Sequence, residues 1–293
     1  RDPAFFHDVK DVDARSETEV TAIDRVAKTV TARHLPTGKA EVIPYDKLVL
    51  GMGSRPRRLP IEGLELSGVH TVDSLEAAEA IKASVAAGGV GSVAIIGSGF
   101  IGLEMAVAFA DMWGLEVTVI ELFDQMLPGV VGPTLSTMAR KHMEEKGVAF
   151  RLSEQVTRIE GDGKVERVVT DKGVIEADLV IVSVGVVPNS ELAKAAGIAV
   201  SERGGIIVDE HMRTSDPDIY AGGDCVEVTN LVTGKPMYLP LGSMANRQGR
   251  VIGDNLAGGD STFAGVAGSW CVKLFDLGVA GTGLTLAGAQ RAG

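Results

Sequence analysis

The residues S-V-A-I-I-G-S-G-F-I-G-L-E-M-A-V-A-F-A-D-M-W-G-L-E-V-T-V-I-E, from Ser92 to Glu121, decide the reading of this chain. They run as strand, glycine-rich turn, helix and second strand, and they end on a carboxylate. Gly97, Gly99 and Gly102 supply the G-x-G-x-x-G spacing. The first lets the chain turn sharply out of the strand, the second lets a pyrophosphate approach the backbone, and the third lets the helix pack close to the strand. The opening helix aims free N–H groups and its positive dipole end at the phosphates. With 37 glycines in the chain, the spacing alone carries little. Its context carries more: the apolar β run Val93 to Ile96 precedes it and a helical run follows. The reading is a dinucleotide site, weighed against an ordinary tight turn between strand and helix.

Glu121 ends the next strand about twenty residues on, where a ribose-binding acid is expected. A carboxylate accepts hydrogen bonds from a 2′-hydroxyl and repels a 2′-phosphate, so Glu121 favours NAD over NADP. Leu122, Phe123 and Asp124 follow it and bring no cation for such a phosphate. The competing reading of Glu121 is a solvated strand end.

Composition bounds the rest. A chain of 293 residues holds two domains of ordinary size. It is 45% hydrophobic and 23% charged, which is normal globular material. A formal net charge of -11 argues against a nucleic-acid partner or an anionic membrane surface. The uncharged run from Ala83 to Leu103 is interrupted by Gly88, Gly89, Gly91, Gly97, Gly99 and Gly102, so it reads as loop, strand and turn rather than a membrane span. Two cysteines, Cys225 and Cys271, form neither a disulfide framework nor a metal site, and a reducing cytoplasm is the default location. The chain opens on Arg1-Asp2-Pro3 and stops at Ala292-Gly293, soon after the apolar segment Trp270 to Phe275 begins. A piece of a longer protein is therefore expected.

The pattern predicts short strands over Glu19–Ile23, Thr29–Leu35, Ala40–Ile43 and Lys47–Leu50. Asp73 is expected to cap a helix reaching about Ala87, with Glu76 completing a capping box. The Gly88-Gly89-Val90-Gly91 link is a candidate domain crossing. Beyond the opening unit come a helix over Thr134–Lys146, a strand over Val148–Leu152, and two short strands around the Gly161-Asp162-Gly163 and Asp171-Lys172-Gly173 turns. A buried strand over Leu179–Val184 closes this part, and a further helix is expected over Leu241–Leu256. Parallel strands linked by helices make a nucleotide-binding α/β domain.

A second nucleotide signal is split across the chain. Ile219-Tyr220-Ala221-Gly222-Gly223-Asp224 is a strand leading into a glycine turn that presents a carboxylate. Read alone, it serves equally as an acceptor for a flavin polyol or as a tight turn with an Asx cap. Together with Tyr45 to Pro56, Val184-Gly185-Val186-Val187-Pro188-Asn189 and Pro240 to Arg250, it resembles the FAD-dependent pyridine nucleotide-disulfide oxidoreductases. Within them the chain is similar to the branch of CoA-disulfide reductases, NADH-dependent persulfide reductases, NADH oxidases and NADH peroxidases. Asp260 to Thr285 resembles the start of that branch's C-terminal dimerisation domain.

The resemblance implies an α/β fold in which a Rossmann-like NAD-binding domain is inserted in a partial FAD-binding domain. It places FAD-binding parts at 1–88 and 206–258, the NAD-binding domain at 89–205, and the start of the dimerisation domain at 259–293. Gly97, Gly99, Phe100, Ile101, Gly102, Glu104, Glu121 and Gly185 would serve NADH, with Glu104 near the nicotinamide end. Phe100 matches the aromatic that covers the flavin and swings away for NADH; the competing reading is a core aromatic at a helix start. Gly53, Asp224, Met244 and Ala245 would serve FAD. Lys10 and Asn246 match positions facing a thiol substrate or CoA. The usual A-T-G turn is Gly51-Met52-Gly53 here. The FAD-pyrophosphate motif and the redox-active cysteine of the family are expected upstream of Arg1, and neither Cys225 nor Cys271 has the flanks of a nucleophile. The implied activity passes hydride from NADH to flavin and on to a disulfide or persulfide in a homodimer. The alternatives are an NADH oxidase or peroxidase, or a bare NAD-binding fragment.

Overall fold

The computed structural model describes residues 2–293. It divides into two compact units. Unit 1 holds Ser54 and the described residues before it, Pro188–Thr229 and Pro236–Gly265, and unit 2 holds Arg55–Val187, Asn230–Lys235 and Val266–Gly293.

Unit 2 is built on five parallel strands in the order Val69–His70, Leu179–Val182, Ser92–Ile96, Glu116–Ile120, Val148–Arg151. The strands are nearly continuous runs of β-branched residues because both faces are covered. Val93 and Ile95 point to one face, where they pack with Ile81, Val85, Leu103, Phe109 and Met143 from the helices. Ala94 and Ile96 point to the other, against Val156, Ile159 and Val168. That second cover is an antiparallel ribbon of three strands, Val156–Glu160, Arg167–Thr170 and Val174–Glu176, where the turn signals had suggested two. The strand over 179–184 is shorter than expected and ends at Val182, because Ser183 turns back to bond the Ile96 and Gly97 carbonyls.

The helix over Leu75–Ala86 corrects another expectation. Ser74 is its cap, its Oγ accepting from the Ala77 N–H at 3.1 Å, while Asp73 accepts from the Thr71 hydroxyl at 2.8 Å. Both residues are good caps, and Ser74 wins by one position, which takes Glu76 out of the capping box. Residues 55–88, expected with the first FAD-binding part, pack here through Val69, Ile81 and Val85. So does the hairpin Trp270–Leu274 and Leu277–Gly281, whose Val272 and Leu274 are buried in the same core.

Asp178 ties the start of the sheet together. Its Oδ2 accepts from the Gly91 N–H, the Ser92 N–H and the Ser92 hydroxyl at 2.8, 3.0 and 3.1 Å. Those bonds, led by the one from Gly91, hold its carboxyl below the ordinary carboxylate range against the opposing effect of burial.

Unit 1 carries a three-stranded antiparallel sheet of Thr18–Asp24, Thr29–His34 and Ala40–Pro44. Leu48–Leu50 pairs parallel with Ile219–Ala221, and the helix Gly242–Leu256 follows later. An unexpected helix spans Pro3–Lys10, capped by Asp2 with proline at its first turn. Within the described residues no helix is long and apolar enough to cross a membrane.

Candidate functional site

A cavity of about 650 Å³ opens over the end of the Ser92–Ile96 strand in unit 2. Gly97, Gly99, Phe100, Glu121 and Gly185 all line it, so the fold brings together five of the residues singled out from sequence.

The three motif glycines are required for different reasons. Gly97 has φ of +104°, and a Cβ there would lie 2.5 Å from the Ser183 carbonyl oxygen. A Cβ on Gly102 would lie 2.1 Å from the Gly97 carbonyl oxygen. Both contacts are with backbone, so the fold itself excludes a side chain at these positions. Gly99 differs: a Cβ there would meet nothing within 4 Å. It is the N-cap of the helix Phe100–Val107 and offers no side-chain cap, so the first helical N–H groups are left without a side-chain acceptor beside that open space. Such a cradle fits an anion held by backbone.

Glu121 is 6% exposed, which corrects the alternative of a solvated strand end. Its Oε2 accepts from the Ser98 N–H at 2.8 Å and the Ser98 hydroxyl at 2.7 Å, and its Oε1 accepts from the Phe123 N–H at 3.0 Å. A carboxylate has about four acceptor positions, so one direction on Oε1 stays open for a ribose hydroxyl. Glu154 lines the same cavity, is also buried, and accepts from the Thr170 hydroxyl at 2.6 Å. Arg151 offsets the Glu154 charge, its Nε lying 3.6 Å from Glu154 Oε2, so Glu121 is the carboxylate left to face a ligand. Arg57 also lines the cavity, and its backbone N–H donates to the Gly185 carbonyl at 2.9 Å.

Phe100 is half-buried in the wall, and its ring lies 5.5 Å from that of Trp270 at 48°. Gly102 sits beneath the turn, buried against the strand. Ile101 and Glu104 are exposed on the helix and outside the cavity wall.

In unit 1, Gly53 has φ of +63° with open space where a Cβ would point. Asp224 Oδ2 accepts from the Ser54 hydroxyl at 3.3 Å, and its carbonyl accepts from Tyr238 Oη at 2.9 Å. Burial pushes the Tyr238 phenol up to about 12, so it stays a donor. Gln248 Oε1 accepts from the Gly223 N–H at 2.7 Å and so fixes the turn. Met244 and Ala245 lie in the first turn of Gly242–Leu256, which also has no side-chain cap. Lys10 and Asn246 are exposed on separate helices. Cys225 is buried against the Leu50 and Gly222 carbonyls, and burial pushes its thiol up, away from the thiolate a nucleophile needs. Cys271 is exposed.

Sequence reasoning missed Ser98, Glu154, Tyr238 and Gln248. Ser98 stood in plain view as the variable residue between two motif glycines. The hydrogen bonds that place the others run to partners distant in sequence.

Comparison with known proteins agrees with this geometry. The family described as pyridine nucleotide-disulphide oxidoreductase matches residues 6–249. A curated relative named NADH oxidase, from Methanocaldococcus jannaschii, is 39% identical over 283 residues, covering 97% of this chain and 62% of its own length. The chain thus spans about six tenths of that relative. Among solved structures, a FAD-dependent pyridine nucleotide-disulphide oxidoreductase from Desulfovibrio vulgaris superposes with a TM-score of 0.90 at 54% identity, over 96% of this chain and 71% of that one. A NAD-dependent persulfide reductase from A. fulgidus gives 0.96 at 44% identity, over 100% of this chain and 53% of that one. A glycine turn with open space beside an uncapped helix start, a buried carboxylate ending the next strand and a match over most of the chain lead to one conclusion: the chain belongs to the pyridine nucleotide-disulphide oxidoreductase family.

Proposed function

We propose that this chain binds NADH in the cavity of unit 2 and FAD through unit 1, and that it serves to pass hydride from NADH to the flavin and on to a disulfide or persulfide. The observation that carries this is the contrast among the motif glycines: protein backbone fills the space at Gly97 and Gly102, and the space at Gly99 is left for a ligand. Helix N–H groups at Phe100 and Ile101 would hold the pyrophosphate, and Glu121, oriented by Ser98, the adenosine ribose. Glu121 favours NADH over NADPH. Gly185 lets the dinucleotide run close to backbone, and Glu104 would lie toward the nicotinamide.

In unit 1, Asp224 would accept from the flavin polyol, Gly53 would admit the cofactor past the turn, and the uncapped helix at Met244 and Ala245 would face its negative charge. When bound, FAD supplies a two-electron acceptor for hydride. By the resemblance, Phe100 would be the aromatic that moves aside when NADH arrives. Lys10 and Asn246 are proposed to meet the thiol substrate, which the resemblance makes a CoA-linked or persulfide species, and a homodimer is proposed for the same reason. The NADH oxidase relative favours a second reading, in which O2 takes the electrons.

Anaerobic titration of the FAD-loaded full-length protein with NADH tests the reading. Loss of the visible flavin band with NADH and not with NADPH is expected. No flavin retention, or equal response to both nucleotides, contradicts it. Reoxidation by CoA disulfide or by O2 then separates the two acceptors.

A further inference from the structure

We infer that Trp270 is a positioning residue for Phe100, latching its ring in the cavity wall so that nicotinamide entry must break an aromatic pair. This rests on the NADH reading of the unit 2 cavity. Three observations lead there. The centroid separation of 5.5 Å and the tilt of 48° lie within the range of favourable aromatic pairs. The indole is itself seated: Trp270 pairs in register with Gly281, and a Cβ at 281 would lie 2.7 Å from its Cζ2. The strand beneath is anchored independently, since Val272 and Leu274 are buried in the core while Trp270 is only half-buried.

Phe100 follows Gly99 directly and shares the wall with Gly97 and Gly185. The Phe100 ring packs against the unit 2 core as well as the indole, and the indole adds the aromatic contact a ligand has to break to displace it. Adenosine and pyrophosphate groups contact Gly99 and Glu121 and leave the ring alone. The nicotinamide half alone has to move it, so Trp270 weakens the binding of whole dinucleotides and leaves ADP-ribose untouched.

Calorimetric titration of the chain with NAD+ and with ADP-ribose reads this split. Trp270→Ala is expected to bind NAD+ about 2- to 10-fold more tightly, the size of one aromatic pair, with ADP-ribose affinity unchanged. Trp270→Phe keeps a ring against Phe100 and is expected to restore the original ratio. A purely structural tryptophan would weaken both ligands together or neither, and an unchanged NAD+ to ADP-ribose ratio in Trp270→Ala overturns the latch. If the unsubstituted chain binds neither ligand, the dinucleotide reading itself fails and the latch falls with it.

Discussion

Two glycine turns leave parallel strands in this molecule, and they are held in different ways. At Gly97 and Gly102 the nearest atoms are backbone, the Ser183 and Gly97 carbonyl oxygens, with the Ser183 hydroxyl next to them. At Gly222 the nearest atom is the flexible Cδ1 of Ile252, at 2.8 Å, and the next turn residue is fixed by the Gln248 side chain. The carboxylates differ likewise. Glu121 is buried with three donors, whereas Asp224 is half-buried with one long bond from Ser54. A turn locked by backbone tolerates one sequence pattern, and a turn held by side chains tolerates many.

The largest expected effect breaks the first turn. Gly102→Ala puts a methyl group 2.1 Å from a carbonyl that only a helix shift can clear, and should cost on the order of 3 kcal/mol in urea unfolding. Gly222→Ala meets a side chain that can rotate and should cost under about 1 kcal/mol. Equal losses would remove the distinction between the turns.

Next in size, Glu121→Arg should weaken NADH and improve NADPH by about 1–3 kcal/mol each way, read by fluorescence titration. An NADPH response as strong as that to NADH in the unsubstituted chain would deny the carboxylate its role.

A smaller effect probes the sheet that carries the backbone-locked turn. Asp178→Asn should lose about 1–2 kcal/mol near neutral pH, since three donors share one oxygen. The native carboxyl is held below its unfolded value. Its contribution is therefore present above the ordinary carboxylate range and lost as pH falls through the depressed value. Asp178→Asn should accordingly flatten the acid side of the stability profile, and an unchanged profile would assign acid sensitivity elsewhere.

The same contrast explains what could be read from sequence. The Ser92–Glu121 unit is contiguous and backbone-determined, so strand, turn, helix and acid were all legible. The pattern gave the covered sheet through its apolar runs, but it could not count the ribbon strands, whose pairing depends on turn geometry. Ser74 and Asp73 are equivalent caps in one dimension. The helix at Pro3 was signalled by Asp2-Pro3 and passed over because it buries nothing. Likewise, the 108–112 segment widens to a π-helical turn that no 3.6-residue pattern announces. In unit 1, Asp224 needed a family resemblance because Tyr238, Ser54 and Gln248 reach its turn from elsewhere in the chain.

The central claim is that the open space at Gly99 belongs to NADH. NADH titration of Gly99→Val beside the unsubstituted chain, with urea unfolding of both, tests it most directly. The expected result is a stability loss of about 1 kcal/mol, because a Cβ there meets no protein atom and valine is a poor N-cap, together with loss of NADH binding. NADH binding that survives in a stable Gly99→Val chain would contradict it.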